Sequence, residues 1–276
     1  MVAGGKTQSL AVRWGAALAL LSAVLTLGGC AGDSLVSAEP ASASVTTETA
    51  SVGVAPRPAA PRIDPFSESA TTTGRPLREV IQNPTVADVM RPGPLPEFAI
   101  GREDAPVTLI KYASLTCPFC KRFQATVFPT LKREYIDTGK VRFIIREFPI
   151  GKTSGMATIA LRCAPMSRYL DLYQRYLNQQ AQWVSQEVRI EPILKVAQGV
   201  GLTAAQFDSC RQNQGMIAAL NQVKDRGREL GVIGTPNFFI NGRLVKKELG
   251  LQELRETIDP LLDGRAVAAK PAVVAR

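Results

Sequence analysis

The stretch Val107–Cys120, VTLIKYASLTCPFC, delivers two cysteines to the point where a strand gives way to a helix. Val107 to Ala113 is a short apolar run rich in strand formers. Past it, Phe119, Phe123, Val127, Phe128, Leu131 and Tyr135 recur at helical spacing. Pro118 suits the first helical turn, where its missing N–H costs nothing. Pro129 is expected to kink the helix, and Gly139 to stop it. Val141 to Phe148, VRFIIREF, then reads as a second strand. Strand, helix and strand joined by one crossover make a parallel βαβ unit. The fold class expected is therefore α/β.

The pattern changes after that unit. Met156 to Leu230 reads as a long helical stretch punctuated by Gly199, Gly201 and Gly215. Thr203-Ala-Ala-Gln206 has the form of a capping box. Asn237 to Ile240 and Arg243 to Glu248 flank Asn241-Gly242, a strong hairpin signal. Leu251 to Leu262 closes the pattern as an amphipathic helix.

The N-terminal part differs in kind. Lys6 and Arg13 precede an apolar run from Trp14 to Leu27, the layout of an export signal over residues 1–29. The run is shorter than the roughly 20 residues a spanning helix needs. It ends in Leu27-Gly28-Gly29-Cys30, similar to a bacterial lipobox, so Cys30 is the expected lipid attachment site. Ordinary cleavage at a small-x-small site such as Val36-Ser37-Ala38 is the alternative. Ala, Ser, Thr and Pro then dominate to residue 95, with Phe66 the one aromatic residue. Such a segment buries too little apolar surface to offset its ordering entropy and reads as a disordered tether over 30–95. Leu77 to Met90 shows weak helical periodicity broken by Pro84, either a fraying turn or an oligomerisation element.

Composition removes several chemistries. The 276 residues contain no histidine, which excludes Ser-His-Asp and Cys-His hydrolysis and His-ligated metal sites. The net charge of +9 is not gathered into a basic run with interleaved aromatics, so no nucleic-acid partner is expected. Gly151-Lys152-Thr153 lacks the glycine a phosphate loop needs at position 146, which is Arg146. Of five cysteines, four remain if Cys30 carries lipid: Cys117, Cys120, Cys163 and Cys210. An even number in an exported chain points to disulfides. Cys117 and Cys120 are too close to be a useful staple, which leaves Cys163 with Cys210 as the structural bridge. The rival is a four-cysteine zinc site, which normally brings a second close pair. No metal and no cofactor are expected.

CPFC at a strand-to-helix turn, a helical insertion, and Gly234-Thr235-Pro236 leading into NFFING resemble the DsbA-like thiol-disulfide oxidoreductases. APVTLIKYASLTCPFCKRF and GKVRFIIREFP are similar to that family as well. The resemblance implies a thioredoxin fold interrupted by a helical domain: 96–154 and 232–264 as the two parts of the thioredoxin domain, 155–231 as the insertion, and 265–276 as a flexible tail. It implies a cis bond before Pro236, with Thr235 and Pro236 facing the cysteine pair and, together with Pro118 and Phe119, receiving an extended client. Cys117, at a helix N-terminus, is expected to be the exposed, low-pKa nucleophile. Cys120 is expected to be the more buried resolving thiol. The implied activity is disulfide donation to reduced or unfolded exported proteins in the periplasm. A membrane redox partner would reset the pair, and the protein itself would be a lipid-tethered monomer. Two positions depart from the family pattern. Phe119 stands where strong oxidases have His, and Lys111 where an acidic residue is common. Lys111 either points beneath Cys120 and tunes the thiolate, or snorkels from the strand end to water. The missing imidazole keeps a reductase or isomerase as the alternative. A non-catalytic peptide- or Cu(I)-binding lipoprotein is the reading from another class.

Overall fold

The computed structural model describes residues 80–264. The signal segment 1–29, Cys30, residues 31–79 of the linker and the tail 265–276 lie outside the described residues. Five strands form one sheet in the order β1-β3-β2-β4-β5. They are β1 (Phe98–Ile100), β2 (Val107–Ala113), β3 (Val141–Glu147), β4 (Asn237–Ile240) and β5 (Arg243–Val245). β2 and β3 run parallel, with Lys111 opposite Ile145, and the other neighbours are antiparallel. The crossover from β2 to β3 is α2 (Pro118–Thr126), α3 (Phe128–Leu131) and a wider π turn, Lys132–Ile136. The interruption falls at Val127, one residue before α3, where Pro129 takes a first-turn position that requires no N–H. Gly139 follows at φ 76°, a left-handed backbone that glycine adopts without a Cβ penalty.

Between β3 and β4 lie α4 (Gly151–Cys163), α5 (Tyr169–Asn178), α6 (Gln180–Trp183), α7 (Ile190–Gln198), α8 (Ala204–Gln212) and α9 (Gln214–Glu229). The capping box of Thr203 and Gln206 opens α8. The core of this insertion is aromatic, with Tyr169, Tyr173, Tyr176 and Trp183 all buried. Trp183 and Tyr176 meet edge to face at 5.1 Å, and the Trp183 Nε1–H donates to the Tyr176 carbonyl, so the buried indole is satisfied. Cys163 and Cys210 are bridged, with Cα atoms 6.0 Å apart, tying α4 to α8. That bridge engages two of the four thiols a zinc site would need. At the junction with the sheet, the Glu147 carboxylate is buried and takes hydrogen bonds from Arg162 Nη2 and the Tyr169 hydroxyl, both at 2.7 Å. The insertion is therefore fastened to the end of β3 by a satisfied buried charge rather than by apolar contact alone. After β4, Asn241 (φ 44°) and Gly242 (φ 83°) make the turn into β5, and α10 (Leu251–Leu262) covers the sheet. β5 stops at Val245 rather than Glu248, because its far end has no partner strand.

The two faces of the sheet carry separate cores. Leu109, Phe143, Ile145 and Phe238 pack with α2, α10 and the helical insertion. Ile110, Tyr112, Ile144 and Phe239 pack on the other face with Phe148, Leu230, Val232 and Val89. Val89 belongs to a short helix, α1 (Val86–Met90), opened by a capping box of Thr85 and Asp88. Arg146 reaches across from β3 to donate to the carbonyls of Val89 at 2.7 Å and Arg91 at 3.2 Å, while pairing with Glu97 at 2.6 Å. Ile81 N donates to the Glu229 carbonyl at 2.8 Å. Residues 80–95, assigned to the tether from their composition, are thus part of the described fold, anchored to it by Val89 and by the Arg146 and Glu229 hydrogen bonds. A buried Val89 supplies the apolar anchor that composition alone does not reveal. The described part of Leu77–Met90 docks on its own domain. Among the described residues no helix is long and apolar enough to cross a membrane.

Candidate redox site

Cys117 is the N-cap residue of α2, with β-type backbone at φ −75° and ψ 120°. In that conformation its side chain turns back over the first helical turn. The Cys120 amide donates to Cys117 Sγ at 3.4 Å, as a serine hydroxyl would be served at the same position. Pro118 occupies N1, which leaves the free N–H groups of the turn to the residues behind it. The approach to the cap is fixed by Ser114, whose hydroxyl lies 2.7 Å from Ser154 Oγ on α4 and whose carbonyl accepts from the Cys117 N–H. Gln180 Nε2 donates to the carbonyls of Leu115 at 2.7 Å and Cys117 at 3.1 Å, holding the loop from the insertion side. Nothing in sequence points to Gln180, because it reaches the loop only through the packing of α6.

The Thr235–Pro236 bond is cis and lies directly opposite. The Cys117 S–H donates to the Thr235 carbonyl at 3.0 Å. Pro236 is buried and Thr235 half-buried, while Pro118 and Phe119 are exposed. Ile233, two residues before Thr235, is 81% exposed, and Ile150 is exposed as well. Its place directly before Gly234-Thr235-Pro236 is the one sequence signal for Ile233.

The two sulfurs differ. Cys120 has no exposed surface and Cys117 keeps 8%. Cys117 is thus the more accessible of the two, but the expectation of an exposed sulfur is corrected: Thr235 and its own helix cover most of it. Both thiols are free. Hydrogen bonding by the Cys120 thiol is the largest effect holding the Cys117 pKa down, to about 6. Burial opposes it, and the Thr235 side chain and the amides of Cys120 and Phe119 assist. The S–H contact to the Thr235 carbonyl belongs to the neutral thiol, since a carbonyl oxygen at 3.0 Å repels a thiolate. Ionisation therefore exchanges that contact for the amide and thiol donors of Cys120. Burial pushes the Cys120 thiol well above its ordinary range, the bond it gives to Cys117 adds to this, and the charge of Lys111 works against it.

Lys111 does not snorkel. It is fully buried in β2, with Nζ 4.4 Å from the centre of the Phe123 ring and 5.6 Å from that of Tyr173. Burial lowers its pKa to about 8, partly offset by the negative charge of Cys120 and then Cys117. The Tyr173 hydroxyl is also buried, and its pKa is raised by burial and then by the two cysteines. Cys163 and Cys210 lie in the helical insertion, joined to each other and apart from this constellation. Chemically the site is a helix-capping thiol of low pKa over a buried thiol of high pKa, beside an exposed apolar rim.

The sequence profile of the family described as Thioredoxin matches residues 95–260. A Rickettsia prowazekii protein named as a protein-disulfide oxidoreductase is 29% identical over 172 residues, which cover 60% of this chain and 62% of the relative. The chain thus spans less than two thirds of that relative's length. A Bacillus anthracis protein named "Probable disulfide bond formation protein D" is 27% identical over 169 residues, 58% of this chain and 76% of its own. The crystal structure of Wolbachia pipientis alpha-DsbA1 superposes with a TM-score of 0.60 at 26% identity, covering 66% of this chain and 98% of that one. The α/β sheet with its helical insertion is accordingly a thioredoxin-like fold. The chain belongs to the thioredoxin family, and within it to the DsbA-like members.

Proposed function

We propose that the protein is an exported thiol-disulfide oxidoreductase that introduces disulfides into extracytoplasmic proteins through Cys117 and Cys120. The observation that carries this is the Cys117 sulfur capping α2, 3.0 Å from the Thr235 carbonyl. A client thiolate attacks Cys117 Sγ of the Cys117–Cys120 disulfide, and a mixed disulfide forms on Cys117. The extended client lies along the Thr235–Pro236 backbone, with Pro118 and Phe119 beneath its side chains. A second client thiol then attacks the client sulfur of the mixed disulfide, leaving the client oxidised and the pair reduced. Direction follows from charge: donors that favour the Cys117 thiolate stabilise the reduced protein, which makes its disulfide the better oxidant. A pKa of about 6 supports donation over reduction without any imidazole. Residues 1–29 serve as the export signal and Cys30 as the lipid anchor, placing the domain in the periplasm. The clients are reduced or unfolded exported proteins, and a membrane redox partner reoxidises the pair.

The test is oxidative refolding. The oxidised protein is expected to restore activity to a reduced, disulfide-containing enzyme, and Cys117→Ser to abolish that effect. A protein that binds the reduced substrate without transferring a disulfide would refute the reading and favour a non-catalytic binder.

A further inference from the structure

Phe119 is half exposed at the second position of α2, so the helix fixes its backbone and only the side-chain torsions stay free. Arg122 follows three residues later on the same helix face, with its guanidinium carbon 5.0 Å from the centre of the Phe119 ring. A long side chain on an exposed helix face normally keeps its rotamer freedom. Arg122 does not, because its Nε and Nη2 donate to the two carboxylate oxygens of Glu248. Two parallel bonds fix the plane of a guanidinium, which a lysine ammonium has no means to match. Glu248 is held in turn. It lies between β5 and α10, next to the buried Leu249 and two residues before Gly250, the N-cap of α10. The Gly250 N–H donates to Glu253 at 3.3 Å, and Lys247 pairs with the same carboxylate. A chain of contacts thus runs from the cap of α10 to the aromatic ring beside Cys117. An ion pair as exposed as Arg122–Glu248 adds little to stability, but it does supply orientation.

We propose that Arg122 and Glu248 are positioning residues for client recognition, holding the Phe119 ring as a fixed platform that favours clients with an aromatic side chain beside the reacting cysteine. The proposal rests on the dithiol chemistry above. The guanidinium occupies one side of the ring, and the exposed remainder meets a client ring by offset stacking or edge to face. A ring already immobilised gives up no rotamer freedom when the client arrives, so more of the contact is expressed as faster capture. Glu248 neutralises the Arg122 charge, so the platform selects for aromatic surface rather than for acidic clients. Arg122 and Glu248 act through the ring and not on the sulfur.

The test uses two reduced dithiol peptides of equal charge that differ only in carrying Phe or Ala beside each cysteine. Each is mixed with the oxidised full chain, and the rate constant for disulfide transfer is read from acid-quenched samples. For the wild type the Phe peptide is expected to react about five- to tenfold faster, the advantage of an added aromatic contact. In Arg122→Ala and in Glu248→Gln that ratio is expected to fall about two- to fivefold, the range of an exposed cation–ring contact. The peptides carry the same charge, so the altered charge of the protein cancels in the ratio. In a Phe119→Ala background neither substitution should change the ratio further, because the ring through which both act is gone. The Cys117 thiolate absorbance titration is expected to match the wild type in both variants. A wild-type ratio near one, or an unchanged ratio in either variant, would overturn the proposal. So would an equal fall with Phe119 absent, or a displaced Cys117 titration, which would place the effect on the sulfur. If the oxidised wild type transfers its disulfide to neither peptide, the dithiol reading itself fails, and this one with it.

Discussion

Cys117 should make the reduced protein's stability depend on pH in a way that Cys117→Ser does not. Its folded pKa of about 6 lies below the ordinary value of 9.0. The folded state therefore binds the proton more weakly, and the thiolate contributes nothing below pH 6. Its contribution grows as pH rises and is complete above 9. Linkage across these two values gives about 2.6 kcal/mol between pH 5 and pH 8. The sulfur retains some contact with water, and screening reduces this toward roughly 1.5 kcal/mol. Urea unfolding of both proteins, fully reduced, at pH 5, 6, 7 and 8 measures it. The carboxylates titrate alike in both proteins and drop out of the difference, whereas Lys111, whose charge the Cys117 thiolate supports, adds to it in the same direction. The wild type should gain on Cys117→Ser by at least about 1 kcal/mol over that range, with the gain beginning near pH 6. A constant difference would mean the helix cap does not favour the anion, and the direction argued for disulfide transfer would lose its basis.

Phe119→Ala removes an aromatic ring that is half exposed beside Cys117 but leaves its amide in place. It is expected to raise KM for a reduced protein client several-fold while the thiolate absorbance titration stays where it was. Replacing both Cys163 and Cys210 by alanine opens a loop of 47 residues. Chain entropy sets the cost at about 4 kcal/mol, with 2–4 typical in practice, read as a lower denaturation midpoint and an unchanged Cys117 pKa. Gly227→Ala should destabilise despite alanine's better helix propensity. Its Cβ would lie 2.7 Å from Tyr112 Cε1 and 3.1 Å from Phe148 Cδ2, so about 1–3 kcal/mol is expected by thermal or urea unfolding.

What sequence disclosed and what it concealed divide by the range of the forces involved. The β2–α2–β3 unit, the Thr203 capping box and the Asn241-Gly242 turn were legible because periodicity, caps and turn chemistry act within a few residues. β1 was not, since Phe98–Ile100 is three residues long and gains strand character only by pairing with Phe143–Ile145. α1 carries a local signal in Thr85 and Asp88, yet its alanine- and proline-rich surroundings outweighed five residues of helix. The positions of Cys117 and Cys120 could be read from their spacing. The degree to which Thr235 covers Cys117 could not, because 118 residues separate them. Whether Lys111 reaches water was equally illegible: a lysine one residue from the middle of an apolar strand leaves or stays according to what α2 and α5 lay over it.

The Arg146 clasp has a mechanical meaning. It moors Val89 and Arg91 to the sheet on the face that α2 does not occupy. The backbone therefore enters the folded body from behind, as seen from the reactive sulfur. A strain on residues 80–91 would be borne by a guanidinium and a strand, leaving the loop that cradles Cys117 unloaded.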